Sequence, residues 1–94
     1  MEAMDRNLRA MMPIKELLNR IRWDDTFRRG EFQIGYYDRL TRSIVLKSLA
    51  KLDFPVDRPQ VFEWVGLEGE THTVPLHRIK AVYRNGELIW QRTH

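Results

Sequence analysis

Residues 31–39 read EFQIGYYDR, and at this stretch the period of the chain changes. Phe32, Ile34 and Tyr36 alternate with Gln33, Gly35, Tyr37 and Arg39, the two-residue repeat of a strand with one buried face. Tyr36 and Tyr37 are neighbours and must point to opposite faces, so Tyr36 is assigned to the core and Tyr37 to the outside. A tyrosine hydroxyl in the core needs a buried partner. Asp38 falls on the core parity and is expected to pair with an arginine from the later HRI or WQR segments. Just upstream, residues 13–23 read PIKELLNRIRW. There Ile14, Leu17, Leu18 and Ile21 repeat at i, i+3, i+4, i+7, which predicts a helix with one apolar stripe. Pro13 suits its first turn, where the missing N–H costs nothing.

Downstream the two-residue period persists. SIVLKSL (43–49) predicts a second strand, antiparallel to the first, and AKLDFPVDRP (50–59) with its two prolines predicts a loop. QVFEWVG (60–66), the acidic turn LEGE (67–70) and THTV (71–74) predict a third and fourth strand, after which Pro75 interrupts. The last unit, IKAVYR-NG-ELIWQR (79–92), carries Asn-Gly between two alternating runs, the signal for a type I′ hairpin. A two-residue loop predicts Arg84 opposite Glu87, Tyr83 opposite Leu88, Val82 opposite Ile89 and Ala81 opposite Trp90. The expected fold class is α+β. An N-terminal amphipathic helix would pack on a curled, mainly antiparallel sheet, or an open barrel, of about six short strands. Residues 1–12 read as an N-terminal extension, partly helical from the spacing of Met4, Leu8, Met11 and Met12, and residues 13–94 as a single domain.

Ninety-four residues suffice for one modest core. The absence of cysteine excludes disulfides, thiolate nucleophiles and thiolate metal sites. The first twelve residues mix acids with arginines and have no apolar h-region, which argues against a secretory signal. No run of about 18 apolar residues occurs, which argues against a membrane helix. A cytoplasmic protein is expected. The net charge of +3 is supplied by twelve Arg and four Lys. Arginine's planar fork suits phosphate and stacks on bases; high genomic GC content or thermal adaptation gives the same bias. The basic excess lies in residues 71–94, with four Arg or Lys and three His against Glu87 alone.

No catalytic constellation stands out. His72 and His77 lie five apart across Pro75 with no acid at ligand spacing, and His94 is the last residue, so no metal and no cofactor are expected. Asp24 and Asp25 follow the helix and read as a solvated loop. The glycines are scattered singly, which excludes a phosphate-cradling loop. VPLHRI (74–79) is different, because it sets His77 beside Arg78 at a proline-marked bend. An imidazole N–H and a guanidinium fork can converge there on one anion. A backbone-bonded His77 and an Arg78 salt-bridged to Asp38 or Glu63 account for the same residues. If the strand runs on through Ile79, parity puts His77, Trp90 and Arg92 on one side.

RIRWD (20–24), FQIGYYDR (32–39), VPLHRI (74–79) and ELIWQR (87–92) occur in this order. Together they resemble the small, mainly archaeal family described as the RNA cyclic group end recognition domain. The likeness spans residues 13–92 and leaves residues 1–11 outside it; such proteins often open near Met-Pro-Ile, which implies Met12 as a start. It implies recognition of RNA ends that carry a 2′,3′-cyclic phosphate. The H-x-T or H-x-S pair of the two-histidine phosphoesterases is absent, since His72 precedes Thr73-Val74 and His77 precedes Arg78-Ile79. The family pattern falls on Trp23, Asp24, Tyr36, Asp38, Arg39, His77, Arg78, Trp90 and Arg92, and Tyr37 occupies its variable position.

The leading expectation is a non-catalytic module that grips a single-stranded RNA terminus. Arg39, His77, Arg78 and Arg92 would hold phosphate, Tyr37 would stack on the last base, and Trp23, Asp24, Tyr36, Asp38 and Trp90 would support them. One alternative is a protein-interaction or scaffold domain in which Trp23 and Trp90 fill the core and the motifs are structural. The other is an RNA-end phosphodiesterase using His77, with His72 as the only second proton carrier. RNA-processing enzymes are expected partners, and edge strands leave a monomer or a weak dimer open.

Overall fold

A computed structural model describes residues 12–24 and 29–92. The spacing of Met4, Leu8 and Met11 therefore lies outside the described residues, as do Asp25 and His94. Helix α1 (Ile14–Trp23) buries Ile14, Leu17 and Ile21, three positions of the apolar stripe. It opens with the Leu17 N–H on the Pro13 carbonyl (3.0 Å) and closes with the Asp24 N–H on the Arg20 carbonyl (2.9 Å). Arg20 and Arg22 lie in its last turn, where cations complement the helix dipole.

Six antiparallel strands follow: β1 (Phe32–Asp38), β2 (Ser43–Ser48), β3 (Val61–Val65), β4 (Thr71–Pro75), β5 (Ile79–Arg84) and β6 (Glu87–Gln91). They do not close into a barrel. β2-β1-β5-β6 form one sheet and β3-β4 a second. The break lies in residues 52–60, where Pro55 and Pro59 lack the amide hydrogens that would carry pairing from β2 into β3. Only an isolated bridge, Asp53 with Glu63, continues the ladder there.

β1 is central in the larger sheet. Its Phe32, Ile34 and Tyr36 are buried together with Val82, Ile89 and Trp90 of the neighbouring strands, the α1 stripe, and Phe62 and Val74 from the smaller sheet. Tyr36 meets Phe62 edge-on, with centroids 5.5 Å apart and planes at 77°, a favoured aromatic geometry.

β5 and β6 are joined by Asn85 and Gly86, with φ of 51° and 83°. The Asn85 side-chain oxygen accepts the Glu31 N–H (2.8 Å), and the Asn85 N–H reaches the Glu31 carbonyl (2.7 Å), which ties this turn to the entry of β1. Arg84 faces Glu87 and Tyr83 faces Leu88, but beyond that the register slips: Val82 faces Trp90 and Ala81 faces Gln91. The expected pairs Val82–Ile89 and Ala81–Trp90 are replaced, because a bulge takes up Ile89. The extra residue lets Ile89 and Trp90 both reach the core, which strict alternation forbids.

Pro75 is the last residue of β4, and a 3-10 turn, Leu76–Arg78, leads into β5. Leu76 is buried and His77 exposed. The extended run needed to put His77 on one side with Trp90 and Arg92 does not exist.

Candidate functional site

Two turns lie at the same end of the larger sheet. The first, residues 39–42, joins β1 to β2 after the Asp38–Ser43 pair and is closed by the Arg42 N–H on the Asp38 carbonyl (2.7 Å). The second is Leu76–Arg78, which directly precedes Ile79, the residue opposite Tyr36 on β1. The end of β1 packs against this second turn. Arg39 and Arg42 project from the first turn, His77 and Arg78 from the second. Arg39, Arg42 and His77 are exposed and Arg78 is half-buried. None of the four makes a side-chain hydrogen bond or ion pair among the described residues. Arg78 is thus not bridged to Asp38 or Glu63; Glu63 is held by Arg58 at 2.5 Å. Arg42 was not singled out in the sequence, although the short RLTR turn brackets it with Arg39.

Asp38 has a different partner from the one expected. Its carboxylate accepts the Thr41 hydroxyl (2.9 Å) and the Leu40 N–H (3.4 Å) instead of an arginine. An aspartate opening a tight turn satisfies itself locally before a distant guanidinium can compete. The Thr41 hydroxyl holds its carboxyl below the ordinary value, partial burial opposes this, and the neighbouring amides and the His72 charge add to the lowering. Thr41 also meets the Ser43 hydroxyl at 2.8 Å, so the turn that carries Arg39 and Arg42 is internally braced.

Arg92 is drawn away from the cluster. Its Nε donates to the Ile79 carbonyl (3.0 Å) and its guanidinium lies 5.2 Å from the Trp90 ring centroid, while its buried Nη2 has no hydrogen-bond partner among the described residues. It braces the backbone that follows His77 and Arg78. Trp90 is in the core and its indole N–H reaches the Met12 carbonyl at 2.6 Å. Trp23, by contrast, is 74% exposed, so it does not fill the core as the scaffold reading required. It lies in the last turn of an amphipathic helix, off the Ile14–Leu17–Ile21 stripe. Asp24 caps that helix. Tyr37 is 37% exposed on the outer face of β1, opposite Ile44.

A second cluster sits between the sheets. The Trp64 indole donates to the Tyr36 hydroxyl (3.1 Å), His72 stacks on Trp64 at 4.0 Å and 8°, and Lys47 Nζ lies 3.6 Å from the same ring centroid. Two groups that close cannot share a face, so Lys47 and His72 clamp opposite sides of the indole. Burial raises the Tyr36 pKa, the Trp64 N–H opposes this, and the Asp38 charge adds to the rise. Glu70 meets His72 at 3.2 Å, and its pKa is lowered first by its own amide and then by that contact. Trp64 and Lys47 were missed in the sequence. The signal was the LEGE turn, since pairing strands across it sets Trp64 opposite His72. Three strand residues, about 10 Å, separate His72 from Pro75 before the chain turns to His77. The two histidines therefore occupy different clusters.

Among the described residues no group of three or more metal-ligating side chains assembles, and no helix is long and apolar enough to cross a membrane.

Residues 11–92 match the family model described as MJ1316 RNA cyclic group end recognition domain. UPF0248 protein SSO2687 of Saccharolobus solfataricus is 33% identical over 84 residues, covering 86% of this chain and 98% of that protein. UPF0248 protein LS215_2790 of Saccharolobus islandicus is 35% identical over 85 residues, covering 86% of this chain and 100% of that protein. No solved structure matches. With nearly its whole length matched, this chain belongs to the MJ1316 RNA cyclic group end recognition domain family.

Proposed function

We propose that the protein is a non-catalytic module that binds the phosphate-bearing end of a single-stranded RNA. The observation that carries this reading is the set Arg39, Arg42, His77 and Arg78, four basic side chains without partners among the described residues, on two turns at the same end of the larger sheet. Folding tends to pair or disperse such groups, and a phosphate satisfies them with charge-assisted hydrogen bonds. The braced 39–42 turn and the Arg92–Ile79 bond pre-organise the two halves, which lowers the ordering cost of binding. The family description favours a 2′,3′-cyclic phosphate as the recognised group. The test is fluorescence anisotropy with one RNA ending in cyclic phosphate, 3′-phosphate or 3′-hydroxyl. Tighter binding of the phosphorylated ends is expected, with a shallow salt dependence because few counterions are released. Equal affinity for all three ends would sink end recognition.

A scaffold reading draws on a separate observation. Tyr36, Asp38, Trp90 and Arg92, four residues of the family pattern, are engaged in packing or turn closure. Under that reading Arg39→Ala and Arg78→Ala leave RNA binding, if any, unchanged. A phosphodiesterase reading requires turnover of a cyclic phosphate that His77→Ala abolishes while binding persists.

A further inference from the structure

The bulge between Gly35 and Tyr36 leaves Lys80 unpaired on β5, and the paired positions of the outer face carry no charge. Cross-strand partners project to the same side, so exposed Gln33 and Tyr37 identify the rest of the face. Across from them lie Ser48 and Ile44 on β2 and, beside Gln33, Tyr83 on β5. Between these rows Gly35 faces Leu46 on one side and Ala81 on the other. A Cβ on Gly35 would meet Ile44 Cγ2 at 3.1 Å and Leu46 Cδ2 at 3.3 Å, with Ala81 Cβ at 4.0 Å. The two aliphatic side chains thus lean over the glycine toward Ala81. The result is an apolar stretch from Tyr37 and Ile44 across Leu46 to Ala81, with the Gln33–Tyr83 pair beyond it. Ile44 and Leu46 remain 52% and 54% exposed, in a chain of which 31% is charged.

Arg39, Arg42 and Arg78 stand at one end of this surface, while Arg84, bonded to the Arg29 carbonyl, and Glu87 stand at the other. Arg39 and Arg42 follow directly from the Tyr37 end of β1, and Arg78 directly precedes the start of β5. An apolar platform with aromatic rings at both ends, Lys80 bulged from β5 and arginines without partners among the described residues beyond the Tyr37 end complements a strand of nucleotides ending in phosphate. Unstacked bases bury against apolar and aromatic groups while the backbone stays in water. A second copy of the chain fits less well. Four strands by five residues give a face of about 19 by 17 Å, roughly 300 Å², against about 800 Å² per partner in a stable dimer.

We propose that this face is a base-binding platform that takes the nucleotides immediately upstream of the phosphate end, with Tyr37 under the terminal base and Tyr83 under one further back. Four strand residues separate the Tyr37 and Tyr83 levels, about 14 Å, so the upstream contact belongs to a second or third nucleotide and not to the terminal one. The proposal rests on the phosphate-end reading, because that reading fixes which way the strand runs.

The experiment compares a 3′-phosphorylated mononucleotide, trinucleotide and hexanucleotide of one base, each against its 3′-hydroxyl form, on the wild type and on Tyr83→Ala and Leu46→Ser. Both substitutions are on the solvent face, and thermal melting confirms that the variants fold. The expected result is affinity at least tenfold higher for the trinucleotide than for the mononucleotide. Tyr83→Ala should erase most of that gain while leaving the mononucleotide unchanged. A preference for phosphate with no gain in length, or a Tyr83→Ala loss equal for all lengths, overturns the platform and leaves the phosphate site standing. A length gain that ignores the 3′ group overturns the end reading, and with it the assigned direction. A concentration-dependent dimer in sedimentation that Leu46→Ser dissolves overturns the platform in favour of a second copy.

Discussion

The Trp64 indole N–H is bonded to the Tyr36 hydroxyl at 3.1 Å, and this bond links the two sheets. Tyr36→Phe keeps the ring against Phe62 and removes only the acceptor. The half-buried indole donor then loses its partner, which costs about 1 kcal/mol and lowers the melting temperature by about 4–8 °C in a domain of this size. Calorimetry checks this. RNA affinity should not change, since the hydroxyl is turned toward the smaller sheet.

The Asp38 turn predicts an acid dependence. Its folded-state pKa lies below the ordinary value of 3.8, so the stability it supplies is complete above that value and drains away as pH falls through the folded one. Glu70, lowered from 4.5, acts in the same direction. Urea midpoints should therefore fall as pH drops below about 4.5. Asp38→Ala should flatten the acid limb and leave the curve between pH 6 and 8 parallel to wild type. An unchanged acid limb would remove the Thr41 bond from the account.

Arg39 and Arg92 should separate binding from folding. Arg39→Ala and Arg78→Ala remove side chains with no partner among the described residues, so melting should hold within about 2 °C while phosphate-end affinity falls about tenfold. Arg92→Ala removes the bond to the Ile79 carbonyl and the contact with Trp90, which costs about 1–3 kcal/mol. Its affinity loss should follow from a displaced His77–Arg78 turn. Amide shifts at residues 76–79 would register that displacement in the absence of RNA.

Trp90→Phe should keep most of the core packing but cut the bond to the Met12 carbonyl. A loss of about 1–3 kcal/mol is expected. Amide exchange should accelerate in the first turn of α1 more than in β3 and β4.

What the sequence disclosed is set by the range of each interaction. The helix and strands were readable because period and turn chemistry are local. The division into two sheets was not, since two prolines reveal a broken ladder but not where the next strand goes. The Ile89 bulge escaped because only the demand of the core for both Ile89 and Trp90 creates it. Asp38 went wrong for the opposite reason: strand parity suggested a distant arginine, while Asp followed three residues later by Thr already spelled a self-satisfied turn. Of the candidate site, Arg39, His77 and Arg78 were named from the sequence, whereas Arg42 needed the turn to be seen closed. The Lys47–Trp64–His72 clamp depends on packing between sheets, which no linear pattern encodes.

The bond between the Met12 carbonyl and Trp90 joins residues 78 positions apart. In effect the described chain is a ring opened at one place, with the Trp90 indole bonded across its seam and Met12 packed against the same core. A short linker from residue 92 to residue 12, with new ends cut at residues 67–69 in the exposed acidic turn, should give a permuted protein with the same sheets. The cations at the far turns would keep their positions, because neither the seam nor the new cut lies in the turns that carry them.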